Sequence, residues 1–158
     1  MKGLGRTDRA EHFADAAPEA VWAALTDPAR VARWLPPEGM TARIHHWEAR
    51  TGGRLRVTLA YRDRAANPGK TGEGTDEVEG RFLEVLPPSR LAWATRFDAD
   101  DPSFAGEMTM VWTLVPEGPG TRLALEARDV PEGISAADHA EGLAASLRQL
   151  AEEALRRA

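Results

Sequence analysis

The last stretch of the chain has the hydrophobic period of an α-helix. Its apolar residues recur at intervals of three and four, which places them on one helical face. They are Ala140, Leu143, Leu147, Leu150 and Ala154. Ser135 stands at the position of an N-cap residue, and charged residues occupy the opposite face. The pattern predicts a long amphipathic helix over residues 136–157, with an apolar stripe that must pack on another element.

Much of the preceding chain has a period of two, which is typical of half-buried β-strands. Apolar and polar residues alternate through segments that are separated by turns rich in glycine or proline. These segments are 40–47, 55–62, 78–86, 91–97, 108–114 and 123–127, with a weaker one at 10–16. They predict an antiparallel meander with one buried face. Two polar stretches, 63–76 and 98–106, predict long loops, and we expect the first of them to be mobile.

Two short helices are predicted between the first and second strands. Pro18 suits the first turn of one helix, and Asp27 with Pro28 supplies an N-cap and a first-turn proline to the other. The apolar positions of the two helices are Val21, Trp22, Leu25, Val31, Trp34 and Leu35. Each helix therefore has one side that can pack against the rest of the molecule.

These elements make up one α+β domain. The buried face of the sheet needs a cover, and the terminal helix has the matching stripe. The chain has 158 residues, which is enough for one domain with a sizeable core. We expect residues 1–9 to form an N-terminal tail and residues 10–158 to form the single domain.

Composition and charge narrow the class of protein. The net charge is −5 and the isoelectric point is about 5.4, which argues against a nucleic-acid partner because phosphate contacts need a basic surface. There is no cysteine, so disulfides and thiolate chemistry are excluded. No segment approaches the roughly 20 apolar residues of a membrane helix, and the N-terminus does not resemble a signal peptide. We expect a cytoplasmic protein with no membrane partner. A homodimer is possible.

The sequence offers no metal or cofactor site. His45 and His46 are adjacent on a predicted strand, so their side chains point to opposite faces of the sheet. Two histidines in that arrangement cannot chelate one ion together. We assign no metal, no cofactor and no catalytic residue.

Several local motifs resemble those of a known family. They occupy residues 17–28 (APEAVWAALTDP), 33–34 (RW), 52–55 (GGRL), 79–85 (EGRFLEV), 87–91 (PPSRL), 115–118 (VPEG) and 120–123 (GTRL). Together they resemble the START-like, or SRPBCC, helix-grip superfamily. The closest similarity is to bacterial proteins similar to the heat-shock-protein-90 ATPase activator. The resemblance covers residues 10–155, although the family's usual Gly-Trp pair at the last helix lacks its tryptophan here, where residues 138–142 read DHAEG.

The resemblance implies a curved antiparallel sheet of about six or seven strands wrapped around the long C-terminal helix, with two short helices after the first strand. It also implies a cavity between sheet and helix. From the inward positions of these elements, we expect the lining to include Trp34, Tyr61, Trp93, Thr95, Met110, Trp112, His139, Leu143 and Ser146. Tryptophan and methionine suit an apolar ligand, but the same side chains also suit a solid core.

Three functions are compatible with such a fold. The preferred hypothesis is a non-enzymatic module that binds a hydrophobic or amphipathic small molecule in the cavity. The first alternative is a polyketide cyclase-like or dehydratase-like enzyme, which needs a histidine with a carboxylate or a similar cluster. His139 can serve as an acid, a base or a hydrogen-bond donor, but the sequence suggests no partner for it, so an enzyme is less favoured. The second alternative is a chaperone-associated or other protein-interaction role, which needs an exposed patch.

Overall fold

Seven strands and three α-helices make up the part of the chain that the structure describes. The computed structural model describes residues 5–62, 74–97 and 102–156. In chain order the elements are β1 (Arg6–Ala14), α1 (Pro18–Thr26), α2 (Pro28–Trp34), β2 (Met40–Trp47), β3 (Arg54–Tyr61), β4 (Thr75–Leu86), β5 (Arg90–Phe97), β6 (Met108–Glu117), β7 (Gly120–Val130) and α3 (Ala136–Ala154).

The predicted helix-grip architecture is confirmed. The strands form one antiparallel sheet in the order β1-β7-β6-β5-β4-β3-β2, and α1 and α2 connect the two edge strands. The register shifts once in each of the pairs β1–β7, β2–β3 and β4–β5. Such bulges bend and twist a strand pair, so the sheet curves around α3. Of the helices within the described residues, none is long and apolar enough to cross a membrane.

The first strand begins earlier than the sequence predicts. β1 starts at Arg6 rather than at residue 10, so residues 6–9 belong to the sheet and not to an N-terminal tail. The sequence hides this strand because its more buried positions include Arg6, Asp8 and His12. Its backbone nevertheless pairs with β7 along its length, since the sheet's hydrogen bonds do not depend on apolar side chains.

The first predicted loop ends earlier than expected, and the second contains a short turn. β4 starts at Thr75, inside the predicted loop 63–76. Within the other predicted loop, Pro102–Phe104 forms a short 3-10 turn. Residues 63–73 and 98–101 of these two predicted loops lie outside the described residues, so the expected mobility of the first loop is not addressed there.

The terminal helix packs on one edge of the sheet rather than across its centre. Its main contacts are with β1, α1 and α2, and it has few with the central strands. Leu143, Leu147 and Leu150 are buried as predicted, whereas Ala140 is exposed because the first turns of the helix extend beyond the core. A space therefore remains between α3 and strands β3 to β6.

Buried polar contacts fix α3 to α2. Arg30 Nε lies 3.1 Å from Glu153 Oε2, and both side chains are buried. Arg33 Nη2 donates to the same carboxylate oxygen at 2.8 Å. Gln149 Nε2 donates to the carbonyl oxygen of Trp34 at 2.6 Å. These contacts set the distance between α3 and the end of α2, and hence one end of the space under the helix.

Aromatic contacts connect the solid core to that space. Trp112 has its ring centroid 5.3 Å from that of Trp34 and 5.4 Å from that of Trp93. Trp47 and Phe82 extend the cluster beyond Trp93, at centroid distances of 5.1 and 5.9 Å. Each such pair contributes about 0.5–1.5 kcal/mol beyond its buried area. The cluster therefore forms a stiff wall that resists collapse into the space.

A candidate ligand pocket beneath the C-terminal helix

A pocket occupies the space between α3 and the central strands. Its volume is about 230 Å³. Strands β3 to β6 form most of its floor, α3 forms its roof, and the segment after α2 closes one end. The lining residues are Leu35, Pro37, Trp47, Leu55, Val57, Leu59, Val78, Trp93, Thr95, Phe97, Met108, Met110, His139, Gly142, Leu143 and Ser146. Twelve of these sixteen residues present apolar side chains, so the pocket favours an apolar occupant.

Six of the nine residues expected in the lining are found there. They are Trp93, Thr95, Met110, His139, Leu143 and Ser146. The three on α3 follow one another at spacings of four and three residues, which keeps them on one face of the helix. These six residues are the ones that strand and helix periods place on the face that points inward.

The other three expected residues do not line the pocket. Trp34 is 1% exposed, and its indole N–H donates to the carbonyl oxygen of Ala24 at 2.8 Å. Trp112 is buried in the solid core. Tyr61 ends β3 opposite Met40 of the edge strand β2, away from the lining. The alternation identifies the inward face of a strand, but it does not separate positions over the core from positions over the pocket.

Several lining residues were not expected from the sequence. Trp47 is the last residue of β2 and reaches Trp93. Met108 and the apolar residues of β3 continue the inward alternation, and that period could have identified them. Gly142 lies in the roof, and a Cβ added there would meet no atom within 4 Å. Its lack of a side chain leaves room in the pocket.

An ionisable pair lies at the edge of the pocket. His139 Nδ1 is 2.7 Å from Asp8 Oδ2, and the two side chains are 13% and 9% exposed. Arg6 Nε donates to Asp8 Oδ1 at 3.1 Å, and Arg6 Nη2 also donates to the carbonyl oxygen of Ile134. The expectation that His139 has no ionisable partner is therefore wrong. Asp8 was overlooked because it lies 131 residues away, in a strand that the sequence presents as a tail.

The Asp8 side chain is held as a carboxylate. Burial acts to raise the pKa of Asp8, but hydrogen bonds from Arg6 and His139 outweigh it and lower the pKa. A carboxylate only accepts hydrogen bonds, so Nδ1 of His139 carries a proton and donates it. In the neutral imidazole the lone pair is then on Nε2. Within the described residues, Nε2 has no hydrogen-bond partner.

A second, polar pocket adjoins the first at Pro37. It has a volume of about 570 Å³ and lies between the end of α2, the start of β2 and the last turns of α3. Its charged lining residues are Arg33, Glu38, Arg62, Arg148, Glu152 and Arg156. Arginine outnumbers glutamate in this lining, so this pocket favours an anionic group.

Comparison with known proteins agrees with the fold. A solved structure of a Chromobacterium violaceum protein is 30% identical, with a TM-score of 0.83, and the match covers 96% of this chain and 99% of that chain. A protein of Rhodobacter sphaeroides is 27% identical, with a TM-score of 0.75 and coverage of 98% and 99%. An AHSA1 protein of Silicibacter pomeroyi is 26% identical, with a TM-score of 0.74 and coverage of 94% and 96%.

The family is identified by the sequence match. No curated protein matches the chain significantly. The model of the family described as activator of Hsp90 ATPase homolog 1-like protein matches residues 15–154, which is most of the chain. The protein therefore belongs to the activator of Hsp90 ATPase homolog 1-like family and has its START-like helix-grip fold.

Proposed function

We propose that this protein binds an apolar or amphipathic small molecule in the pocket beneath α3. The observation that carries the proposal is the lining itself, where aromatic, aliphatic and methionine side chains surround an empty volume of about 230 Å³. An apolar ligand that enters such a space removes hydrophobic surface from water on both partners. Met108 and Met110 can adjust to its outline because their side chains are flexible and polarizable.

The pocket volume favours a small ligand. Pockets for drug-sized ligands span about 300–1,000 Å³, and an engineered apolar cavity of about 150 Å³ holds benzene. At about 230 Å³, this pocket suits an aromatic molecule or a short aliphatic chain better than a long lipid. The polar pocket beyond Pro37 offers room for a charged end, so an amphipathic acid fits both spaces together.

Tryptophan fluorescence provides a direct test. Trp47 and Trp93 line the pocket and contact each other, so a bound molecule changes the surroundings of both indoles. We expect 4-phenylbutyric acid, decanoic acid or an environment-sensitive apolar dye to shift or quench the emission. The expected affinity is micromolar, which corresponds to about −8 kcal/mol.

Filling the pocket provides the matched comparison. Ser146→Trp places a large side chain in the roof, and we expect it to abolish the fluorescence response while the protein stays folded. Ala144→Trp is the control, because Ala144 is exposed on the same helix and does not line the pocket. If the emission of the folded parent ignores every apolar ligand, or if Ser146→Trp binds as well as Ala144→Trp, the proposal fails.

A further inference from the structure

We infer that His139 is a general base that removes a proton from a carbon atom of a small apolar molecule bound in the pocket. This goes beyond the proposed binding function, because it assigns a reaction to the pocket. A general base needs a lone pair that faces the substrate, a partner that fixes the ring, and a site that excludes water. The described residues supply the lone pair and the partner, and the apolar lining lets a bound molecule displace water.

The lone pair belongs to Nε2 of His139. Asp8 accepts the Nδ1 proton at 2.7 Å, which orients the ring and fixes the tautomer of the neutral form. The imidazole lines the pocket together with Gly142 and Leu143 from the following turn of α3. Because Gly142 has no side chain, nothing from that position separates the ring from a bound molecule.

Asp8 and Arg6 are positioning residues. They alternate on the inward side of β1, and Arg6 contacts the Asp8 carboxylate through both Nε and Nη2, at 3.1 Å each. Opposite them β7 has a bulge, and Asp129 within it adopts a left-handed φ of 58°. Bulges commonly redirect side chains beside functional sites, and non-glycine residues seldom have a positive φ. The backbone of the sheet therefore holds Arg6 and Asp8 in position.

The pocket suits a carbon acid, which is a molecule with an acidic C–H bond beside an electron-withdrawing group. The apolar lining admits such a molecule, which displaces water from the lining when it binds. In the reaction the C–H bond breaks and its proton bonds to Nε2. The C–H electron pair forms a C=C bond to the carbonyl carbon, and the carbonyl π pair moves onto the oxygen, which gives an enolate. The imidazolium then returns the proton to the enolate oxygen to give the enol, so no co-reactant is needed. Thr95 and Ser146 line the same pocket, and their hydroxyl groups are the donors that these residues offer to the enolate oxygen.

The test uses 5-nitrobenzisoxazole, a small apolar carbon acid. Loss of its C–H proton to a base breaks the ring N–O bond and releases a coloured cyanonitrophenolate, so the rate is read by absorbance. We expect the protein to accelerate this reaction and His139→Gln to lower kcat by about 100-fold or more. His12→Gln is the control and should leave the rate unchanged, because His12 lies on β1 but does not line the pocket.

A second variant tests the positioning role of Asp8. We expect Asp8→Asn to lower kcat by about tenfold or more while KM stays the same. The ¹⁵N shifts of the His139 ring should also show that the fixed Nδ1–H tautomer is lost. His139→Gln keeps the test valid if Asp8→Asn fails to fold. A parent-like rate in folded His139→Gln overturns the inference, as does a folded Asp8→Asn variant with unchanged kcat and tautomer.

The reaction can fail while the binding proposal stands. We expect His139→Gln to retain the fluorescence response to 4-phenylbutyric acid, and this ligand to inhibit the parent reaction competitively. If the ligand binds but the rate does not depend on His139, the binding proposal survives and the reaction is refuted. If no apolar ligand gives a response or inhibits the reaction, the binding proposal is refuted, and the inference, which rests on it, fails as well even where the rate depends on His139.

Discussion

At the scale of single residues, the buried ion pairs between α2 and α3 depend on one side chain. The sequence pattern gives Glu153 no role, yet it is a buried carboxylate that neutralises Arg30 and Arg33 between α2 and α3. Periodicity could not identify it, because a charged residue on the apolar side of a helix looks like a break in the stripe. Its partners, Arg30 and Arg33, are far away in the sequence, and they come close only because α2 packs against α3.

Removal of the Glu153 carboxylate should destabilise the protein strongly. Glu153→Ala removes the carboxylate that neutralises the buried guanidinium of Arg30, and we expect a loss of about 3–5 kcal/mol in the free energy of unfolding. The neighbouring Glu152 is exposed, so Glu152→Ala should change stability by about 0.5 kcal/mol or less. Urea denaturation measures both variants. Similar stabilities for the two would contradict the role of the ion pair.

Acid should weaken the fold through the same carboxylates. Hydrogen bonds from Arg33, opposed by burial and reinforced by Arg30, lower the pKa of Glu153, and the pKa of Asp8 is also lowered. The unfolded chain therefore takes up these protons first as the pH falls. Their contribution is complete above the usual carboxyl pKa of about 4 and is lost as the pH falls through the lower folded values. Denaturation midpoints between pH 7 and pH 3 should fall less steeply for Glu153→Gln than for Glu152→Gln.

Two glycines should respond to substitution with opposite signs. A Cβ at Gly80 would lie 1.9 Å from the backbone oxygen of Ala94, so Gly80→Ala must force β4 and β5 apart at a cost of about 1–3 kcal/mol. A Cβ at Gly142 would meet nothing within 4 Å, and Gly142→Ala should stabilise the helix by about 0.5–1 kcal/mol. Thermal melting compares the two, and a stabilising change at Gly80 would show that the strands are not so close.

At the scale of elements, the sequence predicted which helices and strands form but not all of their edges. α3, the two short helices and the strands from β2 to β7 follow from hydrophobic period, caps and turns. The start of β1 does not, because the strand is held by backbone pairing with β7 and by the ion pair at its inward positions. The Asp8–His139 contact was missed for the same reason.

A charge in the buried stripe of α3 should disrupt the domain. Leu147 is 0% exposed, and Leu147→Asp drives an unpaired carboxylate into the core, with an expected loss of about 4 kcal/mol or more. Ala144→Asp is the control on the exposed side of the same helix and should cost about 1 kcal/mol or less. Circular dichroism during urea denaturation measures both. Equal stabilities would mean that the helix packs in another register.

At the scale of the whole molecule, the position of α3 creates the pocket. The helix packs mainly on β1 and α1, so part of the inner face of the central strands lines an open space while the rest packs in the solid core. The alternation of Trp93, Thr95 and Met110 predicted that face correctly. It could not predict the offset of the helix, which depends on contacts such as those of Arg30 and Glu153, and so it also assigned the core residue Trp112 to the pocket.

The most direct measurement of the central claim is methyl NMR with 4-phenylbutyric acid. Protein labelled at the methionine methyl groups reports on Met108 and Met110 in the apolar pocket, and on Met40, which borders the polar pocket. We expect intermolecular NOEs from the phenyl ring of the ligand to Met108 and Met110, none to Met40, and their loss in Gly142→Leu but not in Ala144→Leu. Binding without NOEs to Met108 and Met110, or unchanged NOEs in Gly142→Leu, would contradict a ligand pocket beneath α3.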